Sequence, residues 1–181
     1  MGQEHEMRRG KVIEVLNIAR SRELMAIYQY MNQHYSLDKL DYGELAKQIK
    51  LIAIDEMRHA EQFAERIKEL NGGAPTTEPV AKATVEQQVH EMFPFDSGLE
   101  NDTIHAYNDF ARICLENGDS QTMELFEDII GEEQEHLNYF DNVHDHIQGL
   151  GASYLATIAG TSSSTGGYSK GFVKSKSIAA T

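Results

Sequence analysis

Two triplets, "EMRH" at 56–59 and "EQEH" at 133–136, put acid and imidazole where an amphipathic helix should be apolar. Leu45, Ile49 and Ile52 recur every three or four residues, and Phe63, Ile67 and Leu70 continue the same rhythm. That spacing marks a helix face turned to a core. The two positions that complete the stripe are Glu56 and His59. A second stripe runs Thr122, Phe126, Ile129 and resumes at Phe140, Val143 and Ile147; Glu133 and His136 fill the gap. Glu-x-x-His occurs nowhere else in the chain. Side chains at i and i+3 share a helix face, so each pair aims at one point. For both pairs that point lies inside the fold.

Two further acids join them. Glu23 sits in the stripe Leu16, Ala19, Ile27, Tyr30, and Glu100 heads the stripe Ile104, Tyr107, Ala111, Cys114. Glu23 precedes Glu56 by 33 residues, and Glu100 precedes Glu133 by 33. In two antiparallel helices joined by a short turn, that separation brings both groups to one level. A single Glu or His at such a position is usually a solvated or bundle-end residue. Six in two matched sets, all on core stripes, are not.

Energetics narrows the meaning. A buried, unpaired carboxylate costs several kcal/mol, and crowding four together costs more. No matching set of core cations is present, although Arg20 and Arg22 flank Glu23. Two divalent metal ions would balance four carboxylates beside two neutral imidazoles. One Glu from each of two helices plus Glu-x-x-His from the other two is the di-iron or di-manganese arrangement of carboxylate bundles. Mixed oxygen and nitrogen donors suit iron or manganese, and zinc also binds such a set.

The remaining pattern gives the frame. Helices are expected over about 6–36, about 39–70 (stopped by "NGG" at 71–73), from Asp96 or Ser97 to about 117–118, and from Asp119 or Ser120 to about Gln148. A polar connection, "APTTEPVAKAT", separates the second from the third, with a short helical turn near 85–92. A small fifth helix is expected in "ASYLATIAG", and the Gly/Ser-rich residues 161–181 read as a flexible tail. No strand pattern is evident. The fold class is therefore all-α: a four-helix bundle over residues 1–160 with one long crossover and a short C-terminal fifth helix.

Composition excludes several functions. A net charge of −13 over 181 residues argues against a nucleic-acid partner. One cysteine, Cys114, permits neither an internal disulfide framework nor a four-thiolate metal site. The N-terminal "MGQEHEMRRG" has no apolar signal core, and Glu6 stands where a myristoylation signal wants Ser or Thr. No apolar run reaches membrane-spanning length. A cytoplasmic location is expected.

The segments "RELMAIYQYMNQHY" at 22–35, "IDEMRHAEQFAERIKEL" at 54–70 and "EEQEHLNYF" at 132–140 resemble the bacterioferritins, ferritin-like proteins that hold haem. The resemblance spans roughly residues 6 to 160. It implies that Glu23, Glu56, His59, Glu100, Glu133 and His136 are ligands of a ferroxidase di-iron centre with two irons per subunit. Glu56 and Glu133 would bridge the metals, and Tyr30 would lie just outside them. It further implies a homo-oligomeric shell of 24 subunits that oxidises Fe²⁺ with O2 or H2O2 and stores the ferric product, with an electron-donor protein for release.

Met57 carries the haem part of the resemblance. One residue beyond Glu56 it is rotated about 100° from the metal-facing stripe. Its own face reads Ala46, Lys50, Ala53, Ala60, Ala64. By resemblance, Met57 from two subunits would ligate one haem iron, with Leu24, Tyr28 and Met31 as pocket walls. Methionine also fills gaps at helix interfaces, so without the resemblance the residue means little.

Two departures stand out. Some members place an additional His beside the centre where this chain has Leu51, with Asp55 retained, which puts an inner-surface iron site in doubt. The chain also continues past the point where the family commonly ends. Two other functions fit the same ligands: a soluble di-iron or di-manganese peroxidase or catalase, and a haem-binding shell with a vestigial centre.

Overall fold

The structure is a computed structural model that describes residues 2–166 and 170–179. Among the described residues six helices follow one another: α1 (Gly2–Lys39), α2 (Gly43–Glu69), α3 (Val89–Glu116), α4 (Ser120–Leu150), α5 (Ala152–Ile158) and α6 (Phe172–Ala179). Helices α1 and α2 form one hairpin and α3 and α4 another, with a long connection between them. This is the four-helix bundle with one crossover and a short fifth helix.

Local chemistry sets the ends. Asn71 takes a positive φ after α2, and the Gly72 and Asn71 amides donate to the Ile67 and Lys68 carbonyls, closing the helix as a Schellman turn. At the start of α4, Asp119 caps the Thr122 amide at 2.9 Å and also takes two hydrogen bonds from the Arg66 guanidinium. That second role ties the α3–α4 turn to the end of α2.

Two boundaries differ from the sequence expectation. Helix α3 begins at Val89, where Gln88 and Glu91 form a reciprocal capping box, and it runs through Pro94. Pro94, the sixth residue of α3, removes one of its i→i−4 hydrogen bonds. Asp96 and Ser97, read as caps, thus lie inside α3; Asp96 is buried and accepts a hydrogen bond from Gln33 at 2.9 Å. The second difference is the segment read as a flexible tail, since residues 172–179 of it form α6. Of the rest of that segment, residues 167–169 and 180–181 lie outside the described residues.

The crossover is pinned to α1 by side chains. Arg20 donates to the Thr76 carbonyl, Ser21 bonds Glu78 and Val80, and Gln29 and Gln33 hold Thr84 and Gln87. Two apolar clusters fill the bundle. One gathers Leu16, Phe63, Ile67, Tyr107 and Phe126; the other gathers Tyr30, Leu37, Ile49, Phe93 and Phe140. Among the described residues, no helix is long and apolar enough to cross a membrane.

Candidate metal centre

Within this apolar bundle the structure buries Glu23, Glu56, His59, Glu100, Glu133 and His136. They assemble into two groups able to hold a metal ion: Glu23, Glu56, His59 and Glu133, and Glu56, Glu100, Glu133 and His136. In each group the ligand atoms lie within 4.8 Å of one another, and Glu56 and Glu133 belong to both. The sharing is atom by atom. His59 Nδ1 lies 3.1 Å from Glu56 Oε2 and 3.2 Å from Glu133 Oε1. His136 Nδ1 lies 3.2 Å from Glu56 Oε1 and 3.0 Å from Glu133 Oε2. Each bridging carboxylate therefore offers one oxygen to each position.

Hydrogen bonds alone do not satisfy this arrangement. One Nδ1–H can serve one acceptor well, yet carboxylates from two helices converge on each ring, and Glu23 also approaches His59 at 4.0 Å. Among the described residues, Glu56 Oε1 and Glu133 Oε1 remain buried without a hydrogen-bond partner. A cation at each position satisfies every oxygen at once, so the residues fit a pair of divalent metals.

The electrostatics say the same. Burial, then repulsion from Glu133 and Glu56, pushes the carboxyls of Glu23 and Glu100 well above the usual range. Burial pulls the His59 and His136 imidazoles down, but the surrounding carboxylates outweigh it and raise both. Glu133 is held below the ordinary carboxylate range, because the two imidazoles overcome its burial. The site as it stands favours protons where cations would sit.

A second ring of residues repeats in both halves. Tyr30 on α1 donates to Glu100 on α3, and Tyr107 on α3 donates to Glu23 on α1. Behind the rings, His59 Nε2 lies 3.2 Å from Glu132, and His136 Nε2 lies 3.6 Å from Asp55. Each pair of equivalents (Glu23 and Glu100, Tyr30 and Tyr107, Asp55 and Glu132, Glu56 and Glu133, His59 and His136) is 77 residues apart. Sequence reasoning named Tyr30 but missed Tyr107 and Glu132 as partners. The signals were available: Tyr107 follows Glu100 at the interval by which Tyr30 follows Glu23, and an acid precedes each bridging Glu.

The haem residues lie elsewhere. Met57 is 45% exposed and Tyr28 54% exposed, while Leu24 and Met31 are half-buried. The structure thus leaves a thioether facing outward on α2. Ala46, Ala53 and Ala60 on the same helix are buried in the chain's own packing. Leu51 is buried in the core, and both Asp55 oxygens are engaged, by Arg58 at 2.8 Å and by the Val173 amide at 3.0 Å.

Fold and site together define a helical bundle protein with a buried, carboxylate-bridged two-metal centre. Residues 13–150 match the ferritin-like domain. The chain is 60% identical over 173 residues to the bacterioferritin of Desulfovibrio desulfuricans, covering 96% of each. It is 34% identical over 149 residues to the bacterioferritin of Streptomyces coelicolor, covering 82% of this chain and 89% of that one. Among solved structures, the X-ray structure of the Desulfovibrio desulfuricans bacterioferritin, described with its diiron site in different catalytic states, superposes with a TM-score of 0.89 at 61% identity. That match covers 93% of this chain and 98% of the other. Mycobacterium tuberculosis bacterioferritin superposes with a TM-score of 0.77 at 30% identity, covering 82% and 93%. The chain belongs to the bacterioferritin family.

Proposed function

We propose that this protein is an iron-storage ferroxidase, with Fe²⁺ as substrate of the centre and the ferric product held inside a homo-oligomeric shell. The observation that carries the reading is the pair of four-ligand groups sharing Glu56 and Glu133. In this reading Glu23 and His59 complete one position, and Glu100 and His136 the other. The bridging carboxylates hold two ions at the short separation of two-metal sites, about 4 Å. Each Fe²⁺ supplies one electron, and O2 or H2O2 takes the pair. Tyr30 and Tyr107 fix the terminal carboxylates through hydrogen bonds. Glu132 orients the His59 ring from behind at 3.2 Å, and Asp55 faces the back of the His136 ring at 3.6 Å.

Met57 of two subunits would hold one haem between them, with Leu24, Tyr28 and Met31 beside it. Bound there, haem supplies one-electron transfer for reductive release of stored iron, drawing on an electron-donor protein. The shell has 24 subunits by family resemblance, and the protein works in the cytoplasm.

The test is aerobic addition of Fe²⁺ to the apoprotein, counting oxidised irons that stay soluble with it. Uptake far beyond two per chain is expected. Uptake that stops at two would replace storage with turnover of peroxide at a soluble two-metal enzyme. Glu56→Ala and His59→Ala are expected to abolish rapid oxidation while leaving the shell assembled; normal rates in either would sink the ligand assignment.

A further inference from the structure

The two halves of the centre match closely until the surroundings of the distal ring nitrogens are compared. Behind His59 stands Glu132, whose side chain is 34% exposed. Behind His136 stands its equivalent, Asp55, whose side chain is 1% exposed. Among the described residues, the difference comes from the C-terminal segment, which the internal repeat does not include.

That segment is built against the site. Phe172, 2% exposed, sets its ring edge-on to His136 at 5.9 Å and to Tyr139 at 5.0 Å. Lys176 holds Phe172 from outside, with its ammonium 4.5 Å from the ring centre and 3.1 Å from Glu135. The Val173 amide in the first turn of α6 donates to Asp55, and Arg58 donates to the Lys170 carbonyl. Gly171 makes this approach possible. Its φ is +82°, and an added Cβ would fall 1.8 Å from Asp55 Oδ1 and 2.3 Å from the Arg58 guanidinium. Only glycine fits.

We infer that residues 170–176 are part of the metal centre: they hold Asp55 and pack Phe172 against the back of the His136 ring, and so make its two metal positions inequivalent. The position of Glu100 and His136 is closed behind its ring by Phe172. In the corresponding place behind the buried His59 ring stands the Glu132 carboxylate, 34% exposed, so solvent comes within one side chain of the position of Glu23 and His59. Metal therefore exchanges quickly at the second and slowly at the first. Phe172 and Asp55 are positioning residues, since each acts through the His136 ring. This rests on the ligand assignment proposed above.

The experiment loads the full-length apoprotein with Co²⁺, chases with excess Zn²⁺ and follows the loss of the cobalt absorption. Two phases of equal size are expected, one cobalt per chain in each. Phe172→Ala should speed the slow phase by about tenfold or more, the scale of one buried aromatic side chain, and leave the fast phase unchanged. Gly171→Val, which displaces the segment while keeping Phe172, should do the same. The unchanged fast phase separates this effect from general loosening of the bundle, which would speed both. A single phase in the unaltered protein, equal acceleration of both phases, or an unchanged slow phase in both variants would overturn the inference. Failure to bind two cobalt ions per chain would instead overturn the metal-site reading on which it stands.

Discussion

Tyr30 and Tyr107 do the same job in equivalent positions, each donating a hydroxyl hydrogen bond to a terminal glutamate on another helix. Removing either hydroxyl leaves a buried carboxylate oxygen without its donor. Tyr107→Phe is expected to weaken metal binding at the Glu23 and His59 position by about 10–100-fold, and Tyr30→Phe to do so at the Glu100 and His136 position. Calorimetric titration of each variant with Zn²⁺ checks both. The protons of the centre give a second prediction. His59 and His136 are raised despite burial, because carboxylates surround them. Their contribution to the stability of the metal-free fold is full below about pH 6.5 and is lost as pH rises through their elevated folded values. Burial raises Glu23 and Glu100, so their contribution, full below about pH 4.3, is lost in the same direction. The metal-free protein should lose thermal stability from neutral to alkaline pH, and Zn²⁺ should flatten that decline. Metal binding should also release protons, measurable as acidification of a weakly buffered solution.

Helix ends were legible where local chemistry alone sets them. Asp119 reads as an N-cap in the sequence, and it caps α4 in the structure. It also pairs with Arg66 from α2, which no local pattern announces. Asp119→Ala should therefore cost more than a cap alone, about 2–3 kcal/mol in chemical denaturation. Asp119→Asn, which keeps a cap oxygen and loses the charge, should cost less. Helix α3 was read short because Asp96 and Ser97 have the side chains of N-caps. The capping box at Gln88 and Glu91 starts the helix earlier, and Asp96 turns inward to Gln33. A polar residue near a helix start has two possible partners, the local amides or a neighbouring helix. Spacing along one strand of sequence does not distinguish them.

For the assembled protein, Met57 faces outward and Glu56 inward, about 100° apart on one helix, and the proposed reading gives haem to the first and iron to the second. Met57→Leu is expected to abolish haem retention, read as loss of haem absorbance per chain, while Fe²⁺ oxidation proceeds unchanged. Haem retained at full stoichiometry would remove Met57 as its ligand. The amino-acid order was enough to place six acids and imidazoles on core faces of four helices, because helical periodicity is local and burial follows from it. That much also fixed the bundle class, since two matched hairpins with one long connection leave few alternatives. The packed chain settled the rest. Which carboxylate stands behind which imidazole depends on contacts between helices far apart in sequence, as with His59 and Glu132 or His136 and Asp55. The C-terminal segment is the clearest case. Its composition is that of a flexible linker, and its helix is short for one that must stand alone in water. Its order comes from a glycine-sized gap beside Asp55 and an aromatic slot beside His136, surfaces that exist only once the bundle has formed.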